Sequence, residues 1–232
     1  MNVLKKFQKN TRGKDFVVGD IHGTYTKLYE QLDAIGFNKE TDRLFCVGDL
    51  IDRGMESEHV LDFLSLPYVH AVMGNHEQMC IDAFNGSEYM LASFYMNGGM
   101  WWESVPQAKK NVIAYELMEL PLAIEIETDY GRVGVVHADV PYSDWEEIYK
   151  LEGAEDNMKT EGIKNIMLWS RDRINNSITS GVKNIEHVYV GHTPLNDSIS
   201  LGNVTYIDTG ACFSDGKFTI VCIQGEIQCG II

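Results

Sequence analysis

Six side chains of metal-binding type fall into five short segments of this sequence. Asp20 and His22 stand in Gly19-Asp20-Ile21-His22-Gly23, and Asp49 in Gly48-Asp49-Leu50-Ile51-Asp52-Arg53-Gly54. Asn75 belongs to Gly74-Asn75-His76-Glu77, His137 to His137-Ala138-Asp139, and His192 to Gly191-His192-Thr193. Imidazole, carboxylate and amide oxygen are donors that suit Mn, Fe or Zn. One carboxylate can bridge two metals, and Asp49, in the second segment and near the middle of the set, is the candidate for that place. A single Gly-Asp or Gly-His after a strand is an ordinary turn. Five in one chain, each following an apolar run, are not independent turns. Four of the seven histidines lie in these segments. The other three, His59, His70 and His187, fall in helix-like or strand-like runs and read as structural or surface residues.

The elements that must position these residues are legible in the apolar pattern. Each segment ends a run such as Phe16-Val17-Val18, Leu44-Phe45-Cys46-Val47 or Val133-Gly134-Val135-Val136. In open α/β sheets ligands sit beyond the carboxyl ends of the strands, so such loops are expected to converge. Their glycines permit tight turns where backbone passes close to a metal or phosphate. Strands are predicted at 15–19, 43–48 and 68–73. Helices are predicted at 24–36, where Leu28, Leu32 and Ile35 share a face, and at 58–66, with Val60, Leu61 and Leu64 on the apolar side. This alternation predicts an α/β fold with a largely parallel, buried sheet. Residues 78–120 read as mostly helical. Further strands are predicted at 122–128, 132–136, 187–190, 204–207 and 218–224, and helices at 144–150 and 163–174. The strand-rich second half predicts a second sheet packed on the first. No repeat or Pro/Gly-rich linker interrupts the chain, so one domain over residues 1–232 is expected.

Composition narrows the chemistry. The net charge of −15, without a basic run, opposes nucleic-acid binding and with it a metal-dependent nuclease. The five cysteines, Cys46, Cys80, Cys212, Cys222 and Cys229, are odd in number and none is paired at CxxC spacing, which predicts reduced thiols. The first ten residues, MNVLKKFQKN, lack the apolar core of a secretory signal. No run approaches the roughly 18 apolar residues of a membrane span. No membrane association is expected, and a cytoplasmic location is. A thiolate phosphatase would need C-x5-R and a nucleotide-driven enzyme GxxxxGK(S/T); neither pattern occurs.

GDIHG, GDLIDRG, GNHE, HAD and GHT, in that order, resemble the metal-dependent phosphoprotein phosphatase family. GNHEQMCID, NGGMWW, ELPLAIE, HADVPY, LWSRDRINNS and YIDTGA are most similar to the branch of the bacteriophage lambda phosphatase and its bacterial relatives. The resemblance covers residues 15–211. It implies a calcineurin-like metallophosphoesterase fold of the α/β class, two packed mixed β-sheets flanked by helices. It implies two divalent ions, Mn first, with Fe or Zn compatible. Asp20, His22 and bridging Asp49 would hold one; Asn75, His137 and His192, again with Asp49, would hold the other. His76 would be the general acid, oriented by Asp52. Arg53 would contact the phosphate, and so would Arg171, with Arg173 close enough in sequence to compete for that place. The implied reaction is attack of a metal-bridging hydroxide on phosphoserine, phosphothreonine or phosphotyrosine in a phosphoprotein or phosphopeptide, or on a small aryl phosphate.

Four features leave alternatives open. The family usually carries Arg immediately before GNHE, where this chain has Met73. Met73 either packs as a strand-end hydrophobe or marks a lost phosphate contact worth about 1.5–3 kcal/mol; in the second case Met73→Arg is expected to raise kcat/KM on aryl phosphates. Glu77 reads as a helix-start charge favoured by the dipole. Asp139 either supports a metal-binding histidine or caps the next helix. The stretch 89–102, YMLASFYMNGGMWW, reads as core or, through its Asn97-Gly98-Gly99 break, as a cleft wall, and no catalytic residue is assigned to it. The competing functions are nucleoside polyphosphate hydrolysis at the same kind of site and a non-catalytic metal-binding role.

Overall fold

The computed structural model describes residues 3–86, 88–155 and 157–224; Cys229 lies outside them. The chain opens with strands Leu4–Phe7 (β1) and Asp15–Val18 (β2), helix Tyr25–Ala34 (α1), strand Arg43–Cys46 (β3), helix Val60–Leu64 (α2) and strand Val69–Ala71 (β4). Helices Asn75–Phe84 (α3), Glu88–Met96 (α4) and Gln107–Met118 (α5) follow, with a 3-10 turn at Gly99–Ser104 between the last two. Strands Ala123–Thr128 (β5) and Gly131–Val136 (β6) form a hairpin, and helices Glu146–Tyr149 (α6), Met158–Trp169 (α7) and Asp172–Asn175 (α8) come next. His187–Val190 (β7), Ile199–Leu201 (β8), Val204–Tyr206 (β9) and Ile220–Cys222 (β10) complete the described strands.

Among the described residues the strands form two mixed sheets. One has the order β10-β2-β3-β4, with β2, β3 and β4 parallel and β10 antiparallel to β2. The other has the order β1-β5-β6-β7-β9-β8, with β6, β7 and β9 parallel. Val17, Phe45, Ile124, Val135 and Tyr189, drawn from both sheets, form the apolar layer between them. The outer faces carry helices, whose Leu28, Leu32, Phe63, Ile113, Leu117 and Met167 join a second apolar cluster. With both faces covered, β2 buries every residue, which is why Phe16-Val17-Val18 is a continuous apolar run and not an alternating one. Each large apolar side chain so buried contributes about 1.5–3 kcal/mol.

The α/β reading and the second sheet hold, with local corrections. Two strands escaped the sequence pattern: β1, where Lys5 and Lys6 are exposed, and β8, where only Leu201 is buried. Both are sheet edges, and an edge strand with one covered face carries too few apolar residues to stand out. The helix predicted at 58–66 begins as a 3-10 turn and buries Val60 and Phe63, leaving Leu61 and Leu64 half-covered. The helix predicted at 163–174 is two helices, separated where Ser170 turns extended. No helix among the described residues is long and apolar enough to cross a membrane.

Candidate metal centre

Three parallel strands from each sheet deliver their carboxyl ends to one edge of the sandwich. β2 leads to Asp20 and His22, β3 to Asp49, β4 to Asn75, β6 to His137, β7 to His192 and β9 to Asp208. Backbone bonds tie the loops together. The amides of Ile21 and His22 both donate to the Asp49 carbonyl, at 3.0 and 2.8 Å. The His192 amide donates to the Asp20 carboxylate at 3.1 Å, and the His76 amide to Asp49 Oδ1 at 3.0 Å. This closeness explains two glycines. A Cβ on Gly74 would stand 2.2 Å from Asp49 Oδ1, and one on Gly48, whose φ is +98°, would stand 2.8 Å from the Gly74 backbone. His22, Asp49, Asp52, Arg53 and His192 all adopt positive φ, which makes five of the nine such non-glycine residues among those described. Each costs about 1–3 kcal/mol, and such strain concentrates where surrounding structure holds functional groups in place.

The ligand-type atoms gather in two groups that share one carboxylate. His22, Asp49 and His76 form the first, and Asp49, His137 and His192 the second, with the donor atoms of each group within 4.8 Å of one another. Asp20 lies at the margin of the first, its Oδ2 4.0 Å from His22 Nε2. Asn75 joins the second, its Oδ1 2.8 Å from His137 Nε2 and 2.7 Å from His192 Nδ1. All of these residues are buried.

The donor set fits a pair of cations. Each imidazole uses its outer nitrogen on a main-chain carbonyl: His22 Nδ1 on Ile51 at 2.9 Å, His137 Nδ1 on Val47 at 2.8 Å and His192 Nε2 on Trp169 at 3.2 Å. Those bonds fix the tautomers, so that His137 Nε2 and His192 Nδ1 turn lone pairs toward Asn75, while His22 Nε2 faces Asp49 at 3.6 Å and takes an N–H from Arg53. Burial keeps the rings neutral, moving His22 down to about 3, His192 down to about 3, and His137 below its ordinary value. Burial opposes the charge on Asp49, but its histidine neighbours, the charged His76 ring among them, and the His76 amide hold that carboxyl below the usual range. Lone pairs facing one another around an ionised carboxylate in a buried pocket are what a divalent cation answers.

His76 is arranged differently. Its Nδ1 meets Asp52 Oδ2 at 2.7 Å, and its Nε2 faces Asp49 Oδ2 at 3.8 Å and Arg53 Nη2 at 3.1 Å. Burial disfavours a charged ring, yet Asp49 and Asp52 together hold His76 above its ordinary pKa, the reverse of the other site histidines. Arg53 also reaches His22 Nε2, at 2.6 Å, so its guanidinium lies across the mouth of the first group.

The two arginines of WSRDR separate cleanly. Arg173 is buried, and all three of its nitrogens are bonded: Nε to Asp139 Oδ1 at 2.9 Å, Nη1 to the Ser180 carbonyl at 2.7 Å and Nη2 to Ser143 Oγ at 2.8 Å. Arg171 is exposed, with Nη2 3.3 Å from the His192 carbonyl. Asp139 is therefore the partner of Arg173 and of its own neighbour's amide, Val140 N at 2.8 Å; neither of the two roles expected for it applies. Met73 has no exposed surface and sits in the larger apolar cluster, the strand-end packing alternative. His187 is buried against Thr205 Oγ1 at 2.9 Å, His70 packs against Phe7 and Phe45, and His59 is exposed, as structural or surface residues should be.

Two residues were undervalued in the sequence. Glu77 is fully buried and accepts from four backbone amides, those of Asp49, Leu50, Ile51 and Gly74, at 2.8, 2.8, 3.3 and 2.8 Å. It is the tie between the second and third loops, far more than a helix-start charge. Asp208 is buried beyond the end of β9, and burial raises it and Asp20, each further opposed by neighbouring carboxylates, above the usual carboxylate range. Its signal was present: Val204–Tyr206 runs through Ile207 into Asp208-Thr209-Gly210, a sixth strand ending in a polar, glycine-bearing loop.

Residues 16–222 match the calcineurin-like phosphoesterase family. The chain is 37% identical over 214 residues to Serine/threonine-protein phosphatase 1 of Salmonella typhimurium, spanning 90% of this chain and 91% of that protein. A symmetrical bis(5'-nucleosyl)-tetraphosphatase of Erwinia tasmaniensis is 41% identical over 73 residues, 31% of this chain and 27% of that protein. The solved cold-active protein-tyrosine phosphatase of a psychrophilic Shewanella shares the fold, with a TM-score of 0.63 at 20% identity over 95% of this chain and 77% of its own. Since the family match contains both sandwich halves of the metal centre and every candidate ligand, the chain belongs to the calcineurin-like phosphoesterases.

Proposed function

We propose that this phosphoesterase is a two-metal phosphomonoesterase that acts on phosphoserine, phosphothreonine and phosphotyrosine in proteins, and on small aryl phosphates, with Mn the first candidate metal and Fe or Zn compatible. The observation that carries the reading is the sharing of Asp49 by two buried donor groups, with the His76–Asp52 pair set against it. Asp20, His22 and Asp49 would hold one ion, and Asp49, Asn75, His137 and His192 the other. Bound there, such ions lower the pKa of water and neutralise phosphate charge.

The chain's own groups do the rest. Arg53, at the mouth of the first group, and exposed Arg171, beside His192, are suited to grip phosphate oxygens in bidentate fashion. His76 Nε2 holds the proton that the leaving oxygen needs, and Asp52 fixes the ring through Nδ1. General acid catalysis of this kind supplies about 10²–10⁴-fold. The four described cysteines are free thiols, which supports a reducing, cytoplasmic setting.

The extent of likeness supports protein phosphates over polyphosphates. It spans 90% of the chain for the Salmonella protein phosphatase against 31% for the tetraphosphatase. Hydrolysis of a phosphoserine peptide, a phosphotyrosine peptide and diadenosine tetraphosphate by the metal-loaded protein tests the choice. Faster turnover of both peptides is expected; preference for the dinucleotide would replace this reading with polyphosphate hydrolysis.

A further inference from the structure

Asp52 has no exposed surface, and each of its oxygens faces one side-chain donor. Oδ2 takes His76 Nδ1 at 2.7 Å, and Oδ1 takes Trp101 Nε1 at 2.7 Å. Trp101 comes from the 3-10 turn Gly99–Ser104, part of the helical stretch to which the sequence assigned no catalytic role. The same stretch grips the Asp52 loop a second time, where the Arg53 amide donates to the Gly98 carbonyl at 3.3 Å. Only glycine suits that contact: Gly98 has φ +104°, and a Cβ there would stand 2.7 Å from the Arg53 amide nitrogen. Behind it Trp101 packs edge-on against Trp102 and Phe94, with centroids 5.4 and 6.5 Å away.

We infer that Trp101 is a positioning residue for the phosphoryl transfer, holding Asp52 through its indole N–H so that the carboxylate keeps His76 aimed at the leaving oxygen. A carboxylate held at one oxygen can pivot; held at both, it cannot. The inference rests on the proposed general-acid role of His76. In that reaction the ester P–O bond breaks with its electron pair going to the leaving oxygen. The His76 Nε2 proton goes to the same oxygen, water supplies the new P–O bond, and the water's proton passes to solvent. Misaiming His76 therefore hurts poor leaving groups and spares good ones. A merely structural loss would hurt both alike.

The experiment compares phenyl phosphate with 2,4-dinitrophenyl phosphate on the metal-loaded protein, for Trp101→Phe, His76→Asn and the double variant. Trp102→Phe serves as a control from the same aromatic cluster. Trp101→Phe is expected to lower kcat roughly tenfold on phenyl phosphate and less than about twofold on the dinitrophenyl ester, with KM unchanged. In the His76→Asn background it should cost nothing further. In the protein before metal loading, the low-field His76 ring N–H proton signal should exchange with solvent faster in Trp101→Phe. Should Trp101→Phe fold poorly, benzothienylalanine at position 101 keeps the bicyclic shape without the N–H and gives the same readings. Equal losses on the two esters, the Trp102→Phe pattern, or an unchanged ring-proton signal would overturn the role of Trp101. If His76→Asn itself shows no leaving-group dependence, the general-acid reading fails instead.

Discussion

At the residue scale, burial and bonding separate side chains that look alike in sequence. Arg171 and Arg173 are two positions apart, and nothing in the chain's periodicity says which faces solvent. The structure spends all three nitrogens of Arg173 inside and leaves Arg171 outside. Arg173→Ala should therefore destabilise by about 3–5 kcal/mol in urea unfolding, because it strands the buried Asp139 carboxylate. Arg171→Ala should leave the unfolding midpoint alone and lower kcat/KM roughly ten- to a hundredfold. Met73 was the residue whose replacement by arginine carried an expected gain. With no exposure and an apolar surround, Met73→Arg is now expected to lower the melting temperature without raising kcat/KM, read by calorimetry beside steady-state kinetics. His187 offers a pH test. Burial moves it down to about 4, so the unfolded chain binds its proton first as pH falls. Stability linked to this ring is fully present above pH 6.5 and is lost as pH falls toward 4. His187→Gln, still able to bond Thr205, should show a shallower fall in unfolding midpoint across that window.

At the element scale, the centre is made by strand ends and by the ties among their loops. The strand ends were legible because β2, β3, β4, β6 and β7 are apolar runs that stop at glycine or histidine. The ties were not, since a carboxylate that binds backbone amides of another loop has no periodic signature. Glu77 joins α3 to the loop after β3 through three amides, with a fourth at Gly74, and so fixes the loop that carries Asp49. Glu77→Ala leaves those buried donors without partners and should cost about 3–5 kcal/mol. Glu77→Gln, which keeps one accepting oxygen, should cost less and should still weaken metal affinity, measured by competition with a fluorescent chelator. The edge strands β1 and β8 went unread because each shows the core too little apolar surface, whereas the buried strands could hardly be missed.

At the scale of the whole molecule, a sandwich whose two sheets aim their parallel strands at one edge brings donors from residues 20 to 192 into a single pocket. The second donor group needs both sheets. Asp20, His22, Asp49 and Asn75 come from the loops of one, and His137 and His192 from the other. The order of the motifs was plain in the sequence; the sharing of Asp49 between two groups is a property of the packing. Around an acidic chain of net charge −15, that pocket is where an anionic ester would find positive charge once cations are bound. The most direct measurement strips the protein of metal, adds Mn²⁺ in steps, and follows bound metal together with hydrolysis of p-nitrophenyl phosphate. We expect activity to rise from nothing and to level off at two ions per chain, with Asp49→Ala binding neither tightly. Saturation at a single ion, or two bound ions without hydrolysis, would contradict a two-metal phosphomonoesterase.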